Sequence, residues 1–195
     1  MRLISTDPQP PISHNNGPIS TQIRRVHVLI SRVDLLTSHL AAGKLLHRTI
    51  LQMGQSIIEK RAIKSLRSFR TTILREGSDL PLFEHPLALT KLATWLAEVS
   101  AEEDRGRARR VQPGFVLACL IPSRAVFLVV GVTARGEDEA GEKGNRFGLA
   151  FGAVAKREER GLGMKIDAFE AGVVEVREAD LGRFLEVLSL EVGRH

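Results

Sequence analysis

The chain has 195 residues, 43% of them apolar and 26% charged, with 17 glycines and 8 prolines. Those proportions are globular and exclude a collagen, a long coiled coil and a wholly disordered chain, while the single cysteine, Cys119, excludes an internal disulfide framework. The formal net charge of +5 is carried by residues 1–100, with 13 Lys+Arg against 7 Asp+Glu, whereas residues 101–195 hold 15 against 16.

Residues 1–19 contain Pro8, Pro10, Pro11 and Pro18 around a polar run from Ser13 to Gly17. Prolines this dense remove backbone donors and block helix, which predicts a flexible arm. The arm has no apolar core of signal-peptide length, so an intracellular location, cytoplasmic or nuclear, is expected. From Ser20 the spacing turns helical. Ile23, Val26, Ile30, Val33 and Leu40 share one face, with Ser20 or Thr21 as N-cap and Gly43 as a break. A second stripe follows at Leu46, Ile50, Met53 and Ile57. A third, at Ile58, Ala62, Leu66, Phe69 and Ile73, predicts a helix over 59–75. Pro86 suits the first turn of a further helix that turns Leu89, Leu92, Ala93, Leu96 and Val99 inward. The regions expected are a basic helical region over 20–101 and a charged linker over 102–113.

Residues 114–195 read as a β-rich region with a C-terminal helix. The runs Phe115–Ile121 and Ala125–Val130, parted by Pro122-Ser123-Arg124, predict a buried hairpin. The same stretch, 114–134, is long enough to cross a bilayer, but Arg124 and Pro122 at its centre favour the hairpin over membrane contact. Phe147, Leu149, Phe151, Ala153 and Ala155 alternate with small residues and predict a strand. Met164–Ala168 and Val173–Val176 add two short strands. Asp180 is placed to cap a last helix carrying Leu181, Phe184, Leu185 and Leu188. The fold class expected is α+β: a helical N-terminal half followed by a small antiparallel β-rich half with a C-terminal helix.

Chemistry-bearing motifs are sparse. His39 and His47 do not make the i, i+4 pair of a zinc helix. Cys119 lies in the most apolar run, where burial makes a thiol inert. Gly161-Leu162-Gly163 lacks the third glycine of a dinucleotide loop, and Glu102-Glu103 and Glu158-Glu159 fall in exposed connections. No cofactor, metal or enzymatic activity is expected. The most informative feature is the helix expected at 59–75. There Lys60, Lys64, Arg67 and Arg75 group opposite the apolar stripe, flanked by Arg61 and Arg70. Six cations on one helix face suit a phosphate backbone, so the leading reading is a non-catalytic module that binds nucleic acid or another polyanion. A different class of reading is a protein-interaction or membrane-associated subunit. A third, motivated by the complete absence of tyrosine, is a reading frame with no selected function. No motif places the chain in a family.

Overall fold

The structure, a computed structural model, describes residues 18–106, 114–133, 146–157, 161–167 and 170–193, with side chains from His39 onward. The proline-rich arm up to Gly17, residues 107–113 of the expected linker, and most of the charged loop before Arg146 lie outside the described residues. The chain divides into two compact units at Lys44. In the unit Met1–Lys44 the described structure is the first part of a helix, α1 (Pro18–Glu59). Pro18 occupies its first turn, so Ser20 and Thr21 lie inside the helix and not before it. Helix also continues through Gly43, whose cost of about 1 kcal/mol is too small to break it.

The unit Leu45–His195 holds the core. Its α1 segment, Leu45–Glu59, ends in a Schellman motif: Ala62 N–H donates to Ile57 C=O at 3.0 Å and Arg61 N–H to Ile58 C=O at 3.0 Å. Arg61 takes the left-handed conformation (φ 51°) that glycine normally supplies there. The helix expected at 59–75 therefore does not form, and the basic region 20–101 is only partly helical. In its place come β1 (Lys64–Ser65) and β2 (Arg70–Leu74), whose Thr71-Thr72-Ile73 run carries the β-branched residues that strands favour. A short helix α2 (Leu80–Phe83) leads into α3 (Pro86–Gly106), which opens on proline and buries Leu89, Leu92, Ala93 and Leu96 as its spacing requires.

β3 (Gly114–Ile121) and β4 (Val126–Thr133) form the expected hairpin, antiparallel over eight residue pairs. A 3-10 turn, Pro122–Arg124, joins them, and Ala125 completes it in the left-handed region (φ 50°). Both strands are almost wholly buried, so 114–133 is the centre of a sheet. Among the described residues no helix is long and apolar enough to cross a membrane. The run Phe147–Ala155, expected as a strand, lies in helix α4 (Arg146–Arg157), which buries Phe147, Ala150, Phe151 and Val154 at helical spacing. β5 (Met164–Ile166) and β6 (Val173–Arg177) are the two short strands expected. After a 3-10 turn, α5 (Leu181–Val192) buries Leu181, Phe184, Leu185 and Leu188 as expected. Asp180 makes no cap bond. Its carboxylate instead accepts the Gly163 N–H at 2.9 Å, tying the start of α5 to the loop before β5.

Among the described residues six strands form one mixed sheet, β1-β2-β3-β4-β6-β5. Every neighbour pairs antiparallel except β2 with β3, which are parallel because α2 and α3 carry the chain back across the sheet. Alternate residues of β3 serve two cores. Phe115, Leu117, Cys119 and Ile121 meet α1, α2 and α3, while Val116 and Ala118 meet α4 and α5. The molecule is thus α+β, with strands from both compositional halves in one sheet. Two contacts fix the helix layers closely. A Cβ at Gly54 of α1 would overlap the Trp95 ring of α3, and one at Gly131 of β4 would overlap the Phe147 ring of α4.

Candidate functional site

The six cations named from the sequence do not share a helix face. Lys60 and Arg61 sit exposed in the turn that ends α1, Lys64 is exposed on β1, and Arg67 is exposed in the turn before β2. Arg70 lies on β2 and is drawn inward. Its guanidinium donates to both Asp104 oxygens at 2.7 Å and to Ser100 C=O at 3.0 Å, and Asp104 is buried near the end of α3. Arg75 leaves the other side of the sheet, where it stacks 4.9 Å over the Phe127 ring and pairs with Glu178 at 3.2 Å. Two of the six are therefore engaged with acidic partners, on opposite faces. The physical reason is the change of period: residues four apart on a helix share a face, but along a strand neighbours alternate.

Cys119 is fully buried in β3, and burial, followed by the nearby Glu84 carboxylate, pushes its thiol up to about 12. His39, His47 and His85 are exposed, and His85 Nδ1 accepts the Leu87 N–H at 3.3 Å at the start of α3. No cluster of three metal-ligating side chains exists among the described residues.

A groove of about 450 Å³ opens beside the hairpin tip instead. Pro86 and Glu84, at the α2–α3 junction, form one wall, and Lys165, Ile166 and Asp167 of β5 and the loop after it form the other. Ile121, Leu128 and Val173 supply an apolar floor. Arg124, at the tip, reaches across to Glu175 of β6 in a two-pronged pair with N–O distances of 2.7 and 2.6 Å. The guanidinium holds the Glu175 carboxyl below the usual carboxylate range, first through these hydrogen bonds. Asp167 accepts the Glu170 N–H at 3.1 Å. Chemically this is a small groove with an apolar base and a charged rim.

The sequence marked none of these residues as a site: Arg124 stood out only as the turn charge that argues against a membrane span, and Pro86 only as a helix start. One signal was available: Glu175 interrupts the apolar run Val173-Val174-Glu175-Val176 at a position that alternation assigns to a sheet face.

The CDC45 family model matches residues 23–191. The "Cell division control protein 45 homolog" of Schizosaccharomyces pombe is 41% identical over 167 residues, covering 82% of this chain and 26% of that protein. "Cell division control protein 45" of Saccharomyces cerevisiae is 36% identical over 165 residues, covering 82% and 24%. The crystal structure of CDC45 from Entamoeba histolytica superposes with a TM-score of 0.57 at 18% identity, over 76% of this chain and 28% of that one, which shows a shared fold. The chain spans about a quarter of the length of the curated relatives it matches. These matches correct the reading of a chain of unknown function and of a frame under no selection, while the single basic helix on which the polyanion reading was built is replaced in the fold by β1 and β2. An unselected frame would not keep 41% identity over 167 residues.

Proposed function

The chain belongs to the CDC45 family, and from that premise we propose that it forms part of a cell division control protein that works in chromosome replication in the nucleus, within an assembly of DNA and proteins. The observation that carries this reading is the extent of the family match, residues 23–191, which takes in all six strands and both buried cores. A second support is the nature of the groove, whose apolar floor and ionic rim suit contact with another protein.

The test is a chimera in fission yeast, with residues 23–191 of this chain replacing the matching segment of the homolog there. Cells that depend on the chimera are expected to complete DNA replication and divide, read by colony growth and by DNA content per cell. A chimera present at normal level whose cells replicate and divide only when the original protein is restored would overturn the proposal.

A further inference from the structure

The helical layer on the groove side of the sheet is narrower than the sheet. One cross-strand row on that face runs Cys119–Leu128–Glu175–Lys165 from β3 to β5. Cys119 and Leu128 are buried, Glu175 is half-buried and Lys165 is exposed, so along this row cover by α1, α2 and α3 thins from β4 to β6, while Val173, two residues earlier on β6, is still buried. What lies uncovered there is the groove.

Its charges are not all spent. Arg124 and Glu175 neutralise each other, and Asp167 is held by a backbone N–H. Lys165 faces Glu175 across the β5–β6 pair and its charge acts on that carboxylate, whereas Glu84, which also lines the groove, has no hydrogen-bond or ion-pair partner among the described residues. Glu84 is half-buried at the helix junction, whereas Lys165 is exposed. A partly desolvated carboxylate gains more from an incoming cation than an exposed ammonium gains from an incoming anion. The groove's volume of about 450 Å³ admits a few side chains, within the 300–1,000 Å³ typical of binding clefts.

We propose that this groove docks a short peptide segment of a partner protein, one that seats an apolar side chain on Ile121, Leu128 and Val173 and directs a lysine or arginine at Glu84. The inference stands on the groove and is independent of the cell-division role.

The test uses the full 195-residue chain and an array of immobilised heptapeptides with leucine at the centre, flanked by arginine, glutamine or glutamate. The chain carries a net +5, so non-specific attraction favours the glutamate members, and an arginine preference must come from the groove. Arginine members are expected to retain the chain at least about tenfold more than glutamate members. Glu84→Gln is expected to erase that preference and Glu84→Lys to reverse it. Glu186→Lys, on the exposed side of α5, leaves it in place. Each variant is first shown to melt like the parent, and Glu84→Gln carries the test where Glu84→Lys does not fold. No retention of any member, equal retention of arginine and glutamate members, or an arginine preference that survives loss of the Glu84 charge overturns the proposal.

Discussion

Cys119 and Glu175 lie on one cross-strand row, separated by Leu128, yet their environments push them in opposite directions. The Cys119 thiol, buried and facing the field of Glu84, is raised to about 12 and stays protonated at neutral pH. The native chain is therefore expected not to react with a thiol-exchange reagent at mildly alkaline pH, and to react once unfolded in guanidinium. Rapid labelling of the native chain would contradict that burial. Glu175 is depressed by Arg124, so its ionised form favours the folded state. That contribution is present above the ordinary glutamate range and is lost as pH falls through the lowered value. Arg124→Gln is expected to weaken the acid-side decline of stability, read as melting temperature against pH, and an unchanged profile would count against the pair. Burial of Cys119 was legible in the sequence because apolar neighbours surround it. The Arg124–Glu175 pair was not, because its members lie 51 residues apart and only strand pairing brings them together.

At the scale of single elements, α4 and the end of α1 show where period becomes ambiguous. Gly148, Ala150, Gly152 and Ala153 separate the larger side chains of α4. With residues this small on every side, the segment satisfies both a strand's alternation and a helix's 3.6-residue repeat. The structure decides through exposure: Leu149 is 73% exposed and Ala150 is 1% exposed, the reverse of what alternation with Phe147 and Phe151 requires. Leu149→Lys is expected to change unfolding free energy by less than about 0.5 kcal/mol, whereas Ala150→Lys, which buries a charge, costs about 3 kcal/mol or more. Chemical denaturation of both variants checks this, and a larger loss for Leu149→Lys than for Ala150→Lys would argue for the strand. For α1 the misleading signal was Arg61. It is an adequate helix former, but here it takes the left-handed C-terminal position where glycine is the usual marker. The Pro86 start and the last helix were legible, since proline's fixed φ and an unbroken 3–4 spacing leave little choice.

Across the whole molecule, stability is expected to fall from the centre of the sheet outward. β3 and β4 are buried on both faces and flanked by strands on both sides, whereas β1 and β5 are short edges of two and three residues. Native-state hydrogen exchange is expected to be slowest for the β3 and β4 amides and fastest for β1 and β5, and protection at the edges equal to that at the centre would contradict this order. The α+β class, the hairpin and the inward faces of α3 and α5 were determined by the sequence alone, because each rests on local periodicity and turn chemistry over a dozen residues or so. Tertiary structure alone decided that β2 joins β3 in parallel, that Arg70 turns to Asp104, and that Glu84, Arg124, Lys165 and Glu175 line one groove. Those arrangements join residues tens of positions apart. Their free energy comes from burial and charge pairing that exist only once the sheet has closed, and no local spacing encodes them.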